Sequence, residues 1–247
     1  IPLFMLRQAH KLTADLRHRT IDALMAFANS IDARDPSTYQ HSQRVAKLAK
    51  AVAEQMDLPP DDAETIHLAA RIHDLGKVGI PDAILFNPGD LSNGEYDTIK
   101  EHPIISANIV ESFALFDEGR DMIKHHHERH NGKGYPDRLA AEEIPLGARI
   151  IAVADAYDAM TSDRPYRAGL SHEVAVQRII EERGEQFDPQ VVDAFLEVVG
   201  GTTLAAGHRR QTIDSRPAHS DLERFPHNGK VKATQEDSLL QLPARSE

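Results

Sequence analysis

Five histidines and two aspartates, His41, His73, Asp74, His102, His126, His127 and Asp155, fall within or beside segments whose apolar residues repeat with a helical period. That placement constrains the fold more than any other feature of the chain. Ionisable side chains on or near buried faces need partners, because an unpaired polar group inside a core costs several kcal/mol. The fold must therefore bring these faces together around something they share.

The periodicity gives an all-α chain. Residues 3–31 read as a helix, either the first of the core or a connector from a sensory or receiver domain. After Asp35-Pro36, the residues Val45, Leu48, Ala49, Val52, Ala53 and Met56 mark one buried face that His41 extends. Leu58-Pro59-Pro60 ends this segment, and Asp61 or Asp62 offers an N-cap for a helix in which Ile66, Ala69, Ala70 and His73 share a face, stopped by Gly76. Ser92-x-x-Glu95 matches a capping box and opens a short helix up to His102, and Pro103 suits the first position of the next.

A further helix is expected over residues 121–130, before an irregular loop Asn131-Gly-Lys-Gly-Tyr-Pro136. Leu146 to Met160 is helical, with Ile151 and Asp155 one turn apart. Ser171 caps a helix ending near Gly184, and Asp188-Pro189 starts the last, with Val192, Phe195, Leu196 and Val199 inward. No segment alternates as a strand would. Beyond Gly200-Gly201 the apolar period fades, and residues 201–247 are expected to be a disordered tail in which His208, His219 and His227 are solvated. Three units result: an N-terminal helix (1–30), a functional domain (31–200) and the tail.

With no cysteine, any metal must be held by nitrogen and oxygen, and thiol catalysis is excluded. That ligand set favours iron or manganese, with zinc next and magnesium behind. A lone histidine on an apolar face is more often a hydrogen-bonded core residue, the reading given to His67 and His125, but adjacent His-Asp and His-His pairs resist it. Seven ligands exceed the needs of one ion with an open position, so two divalent ions sharing a carboxylate are expected. Such a pair suits phosphoryl displacement, and oxygen chemistry as well.

Nearby cations tip the choice to phosphoester hydrolysis. Lys77 follows the His73-Asp74 pair after a short turn, and Arg164 and Arg167 lie just beyond the Asp155 helix as a pair suited to phosphate. The net charge of -11 argues against binding nucleic-acid polymers or anionic membranes, though not against a small anion held locally. No apolar run is long enough to span a bilayer, and no signal peptide is visible. The opening Ile1-Pro2 reads as the start of a fragment of something longer.

The stretches His73-Asp-Leu-Gly-Lys-Val-Gly-Ile-Pro-Asp82 and His126-His-Glu-Arg-His-Asn-Gly-Lys-Gly-Tyr-Pro136 resemble the two signatures of the HD-GYP domain, a subgroup of the HD phosphohydrolase superfamily. Thr38 with His41-Ser42, His102-Pro103, Ala148-Arg-Ile with Asp155, Ser162-Asp-Arg-Pro-Tyr-Arg167 and Phe187-Asp-Pro189 add to the likeness, which covers about residues 31–199.

The resemblance implies a helical HD-domain bundle and a bacterial cytoplasmic phosphodiesterase, the output of a signalling protein such as a two-component response regulator. It would hydrolyse cyclic di-GMP to the linear dinucleotide pGpG, and further to GMP, with a bridging hydroxide as nucleophile. It implies that Asp74 bridges two ions, with His41, His73 and Asp155 on one side and His102, His126 and His127 on the other. Lys77 would contact the scissile phosphate, Arg164 and Arg167 would hold phosphates, and Asp158 would face the ligand.

The chain also departs from the pattern. Ser37 stands where some members place a glutamate that binds a third metal, so two ions are expected. Asn131 replaces an aspartate before the Gly-Tyr-Pro loop and His130 a neighbouring aromatic, which bears on loop conformation or partner docking. Two other functions remain open: hydrolysis of another nucleotide such as a mixed cyclic dinucleotide, and a non-catalytic cyclic di-GMP receptor that docks a protein through Gly134, Tyr135 and Pro136.

Overall fold

A computed structural model describes residues 3–34, 40–87, 89–113, 116–163 and 168–210. The described residues are all-α, with no strand beyond a single bridge between Arg183 and Phe187. The helices are α1 (Leu3–Arg34), α2 (His41–Gln55), α3 (Pro60–Ile72), α4 (Asp82–Leu85), α5 (Asn93–Ile99), α6 (His102–Glu111), α7 (Asp117–Lys124), α8 (Leu146–Thr161), α9 (His172–Glu181) and α10 (Pro189–Arg210). Short 3-10 turns occupy Leu75–Gly79 and Ala141–Glu143.

The core forms where α2 and α8 pack together, flanked by α3, α7 and α10. Val45, Ala49 and Val52 of α2 meet Ile66, Ala69 and Ala70 of α3, and Ile150, Ile151 and Ala154 of α8, all fully or almost fully buried. The alanines among them, Ala49, Ala69, Ala70 and Ala154, let the helix axes approach closely, which brings the polar groups of α2, α3 and α8 into one place. The C-terminal part of α1 joins this core through Leu24 and Ala28, whereas Phe4, Met5, Leu12 and Leu16 are exposed.

The caps follow local chemistry. Ser92 and Glu95 form the reciprocal capping box, with Glu95 N donating to Ser92 Oγ (3.3 Å) and Ser92 N to Glu95 Oε2 (2.8 Å). Ser171 caps α9 by accepting from Val174 N at 3.4 Å.

Four expectations change. The cap of α3 is Pro59, with Pro60 as the first helical residue, and Asp61 and Asp62 sit in the first turn where the helix dipole favours them. The helix expected over 121–130 is α7, which starts at Asp117 and stops at Lys124. It stops because His126 Nδ1 takes the Ile123 carbonyl at 2.6 Å, a local bond that competes with helix continuation. The helix expected up to His102 ends at Ile99, and His102 itself opens α6, with Pro103 second. The last helix passes Gly200 and Gly201 and runs to Arg210, so residues 201–210 are helical. Residues 211–247, with His219 and His227, lie outside the described residues, as do Ser37, Thr38, Arg164 and Arg167.

Candidate metal centre

His41 enters on the first turn of α2, directly after Gln40, whose φ of 60° turns the chain into the helix. His73 caps the C-terminus of α3 and Asp74 leads into the 3-10 turn. That turn packs hard against α6: a Cβ on Gly76 would lie 2.0 Å from the His102 carbonyl oxygen. Only glycine allows this approach. Ser106, one turn into α6, completes the joint by accepting from Gly76 N (2.7 Å) and donating to the His73 carbonyl (2.7 Å). The His-Asp pair is thereby fixed against His102.

The side chains converge in three overlapping groups whose donor atoms lie within 4.8 Å of one another: His41, His73 and Asp155; His102, His126 and His127; and His73, Asp74 and His126. Asp74 stands between the first two. Its Oδ2 is 3.3 Å from His73 Nε2 and its Oδ1 is 3.3 Å from His102 Nε2.

The ring tautomers follow from the backbone. His73, His102 and His126 each direct Nδ1 to the carbonyl three residues back, at Ala70 (2.8 Å), Ile99 (2.8 Å) and Ile123 (2.6 Å). Nδ1 therefore carries the proton, and Nε2 presents a lone pair. All three Nε2 atoms are buried without a hydrogen-bond partner. Two of them face a carboxylate oxygen, so acceptor meets acceptor.

A second proton on each ring or a shared cation would relieve this. Burial holds His126 well below the usual histidine range and takes His127 down to about 3, so protons cannot serve throughout. Burial opposes ionisation of Asp74 and Asp155, but His73 and Lys77 hold the first well below the carboxylate range, and His41 does so for the second. Anionic carboxylates beside the neutral His126 and His127 rings fit divalent cations.

A cavity of about 590 Å³ opens onto this centre. Asp74, Asp155, His126 and His127 form part of its wall, and Lys77, Lys100, Arg129, Lys133 and Arg138 supply cations around it. Lys77 Nζ donates to Asp74 Oδ2 at 2.7 Å. Across from it, the loop after α7 folds over the centre. Tyr135 stacks on the His127 ring (centroids 4.9 Å apart, planes 24° apart) and is joined to Pro136 by a cis peptide bond. Gly134 lies so close to Glu128 that a Cβ would come within 2.5 Å of its Cα.

Anchors in this loop were not legible in the sequence. The buried Glu128 accepts from Asp137 N at 2.7 Å, and Arg129 donates to Gln186 Oε1 (2.7 Å) and Glu182 Oε2 (2.9 Å). Asn131 pins the loop to the turn between α9 and α10 through Glu185 Oε2 (2.9 Å). His67 and His125 bond elsewhere, to the Ala46 carbonyl and to the Asp121 carbonyl and Asp137 respectively.

Asp158, expected to face the ligand, has its Oδ2 accepting from His41 Nδ1 at 2.7 Å and its carboxylate taking both arms of Arg44, so it stands behind His41. Asp155 and Asp158, one turn apart on α8, both reach His41 of α2.

A family model described as HD domain matches residues 26–191. The chain belongs to the HD-domain family. Among HD-domain relatives, it is 39% identical over 184 residues to the cyclic di-GMP phosphodiesterase response regulator RpfG of Xanthomonas campestris pv. campestris, covering 74% of this chain and 49% of that protein. It is 34% identical over 188 residues to 3'3'-cGAMP-specific phosphodiesterase 2 of Vibrio cholerae, covering 75% of this chain and 36% of that protein. A solved cyclic GMP-AMP specific phosphodiesterase of V. cholerae has the same fold, with a TM-score of 0.58 at 18% identity over 76% of this chain and 50% of that one. The chain spans about half the length of these curated relatives, or less. Among the described residues, no helix is long and apolar enough to cross a membrane.

Proposed function

We propose that residues 31–200 form the catalytic domain of a metal-dependent phosphodiesterase that hydrolyses cyclic di-GMP to linear pGpG, and on to GMP. The observation that carries this is the set of buried, unpartnered Nε2 atoms arranged about Asp74 beside a cation-lined cavity. His41, His73 and Asp155 would hold one divalent ion and His102, His126 and His127 the other, with Asp74 serving both. Iron or manganese suits this nitrogen- and carboxylate-rich set. When bound, a metal pair supplies a nucleophilic hydroxide at neutral pH and stabilises charge in an in-line displacement.

The remaining work falls to the chain. Lys77 neutralises charge on the scissile phosphate, Arg164 and Arg167 hold phosphates, and the cavity cations attract the anionic substrate. Water adds to phosphorus, the bond from phosphorus to O3' breaks, and a proton goes to the leaving oxygen. Tyr135 and the Glu128-anchored loop exclude bulk water from one side. As the output of a signalling protein, such an enzyme works in the bacterial cytoplasm, with α1 as the connector. Relatives named for 3'3'-cGAMP support a second reading, in which the substrate is a mixed cyclic dinucleotide.

Elemental analysis of anaerobically purified protein, followed by cyclic di-GMP and 3'3'-cGAMP cleavage assays on the same sample, tests both. Two equivalents of metal with cleavage of cyclic di-GMP are expected, and the double substitution His73→Ala, Asp74→Ala should abolish metal and turnover together. Turnover that survives this pair of substitutions overturns the metal account. Two ions with no cleavage of either compound would instead favour a receptor that docks a protein through Gly134, Tyr135 and Pro136.

A further inference from the structure

The histidines of the centre are oriented in two different ways. His73, His102 and His126 rely on carbonyls three residues back in their own segments. His41 relies on a side chain 117 residues away, Asp158 Oδ2 at 2.7 Å. Asp158 is itself held by Arg44, which donates Nε to Oδ1 (2.6 Å) and an NH2 to Oδ2 (2.9 Å). The Ser162 hydroxyl closes the group, accepting from Arg44 at 2.9 Å and donating to Asp158 at 3.2 Å.

Helices α2 and α8 thus carry two rungs one turn apart. The inner rung is His41 Nε2 to Asp155 Oδ1, 3.1 Å, and the outer rung is Arg44 to Asp158. We propose that the Arg44–Asp158 pair is a positioning device that fixes the His41 tautomer and so controls one ion position, that of His41, His73 and Asp155, separately from the other. This rests on the two-ion reading above.

The physical reason is donor and acceptor parity. A carboxylate accepts only, so Asp158 obliges His41 Nδ1 to keep its proton, and the Nε2 atom that faces Asp155 is the one left to take an ion. Arg44 donates to both oxygens of Asp158, and His41 Nδ1 shares Oδ2 with one of its NH2 groups. An Asp158→Asn amide oxygen at the Oδ2 position therefore keeps an acceptor for His41 and gives up only the bond from Arg44 Nε. Asp158→Ala removes the acceptor, and with it the reason for Nδ1 to hold its proton. Alanine should therefore be worse than asparagine, and the conservative variant should rescue the ion that alanine loses.

Metal content after equilibration against limiting manganese, measured by elemental analysis, tests this. Wild type is expected to hold two equivalents and Asp158→Ala one, with the lost ion bound about 10–100-fold more weakly, the usual effect of removing an outer partner of a ligand. Asp158→Asn should fall between. Arg44 is 42% exposed at its side chain, so Arg44→Met tests the same device at a tolerant position and should weaken one ion. Two tightly bound ions in both Asp158→Ala and Arg44→Met overturn the proposal, as does equal loss of both ions or an asparagine variant worse than the alanine one. A wild-type protein that holds no metal overturns the two-ion reading itself, and this inference with it.

Discussion

Lys77 places its ammonium 2.7 Å from Asp74 Oδ2, the same carboxylate oxygen that lies 3.3 Å from His73 Nε2. The lysine is only 13% exposed at its side chain, yet it lines the cavity, so it can shift from Asp74 to an arriving phosphate with little loss of pairing. The three-residue spacing on a 3-10 turn, where residues i and i+3 eclipse, creates this contact.

Replacing Lys77 with methionine keeps the stem and removes the charge. Turnover should fall about 10²–10³-fold, the scale for losing one preorganised charge-stabilising donor, while metal content stays at the wild-type level. Parallel kcat and elemental measurements check it, and an unchanged kcat would remove Lys77 from the chemistry.

The joint between the Asp74 turn and α6 depends on Gly76. In Gly76→Ala, a methyl would meet the His102 carbonyl oxygen at 2.0 Å and Ser106 N at 2.6 Å, both backbone atoms that cannot rotate away. Overpacking of this kind costs about 1–3 kcal/mol, and backbone obstacles put it at the upper end. The urea midpoint should drop and ion binding weaken with it. A variant with a wild-type midpoint and full ion content would show that the contact is not a constraint.

Ion binding should release protons at pH 7. In the ion-free protein burial lowers His41, but hydrogen bonds to Asp155 and Asp158 more than offset it and take it up to about 10, so the ring is charged at neutrality. Stability from that raised value is present below the unfolded value of about 6.5 and is lost as pH rises through the folded one. A ligand must be neutral, so His41 gives up its extra proton when an ion enters, and affinity should rise by about tenfold per pH unit per released proton between pH 7 and 9. His126 and His127, both lowered by burial, are already neutral and add nothing. Calorimetry in two buffers of different ionisation enthalpy counts the protons, and a count of zero contradicts the assignment.

What the sequence determined by itself was whatever depends on near neighbours. Helical periods in α2, α3 and α8, the Ser92–Glu95 box and the Ser171 cap all arise from contacts within a few residues, so their spacing is legible in one dimension. The ordered His and Asp pairs could be picked out for the same reason, since each adjacent pair is a local anomaly on an apolar face.

Tertiary structure alone decided how those groups are held. Arg44 reaches Asp158 across 114 residues, Ser106 joins the His73 carbonyl across 33, and Arg129 reaches Gln186 across 57. No periodicity records such pairings, because they depend on which helix faces meet. The end of α7 at Lys124 escaped for a related reason: a histidine ring took a carbonyl that the helical pattern had assigned to the backbone. Asp158 shows the limit most plainly: its bond to His41 depends on the packing of α8 on α2, which its place one turn from Asp155 does not announce.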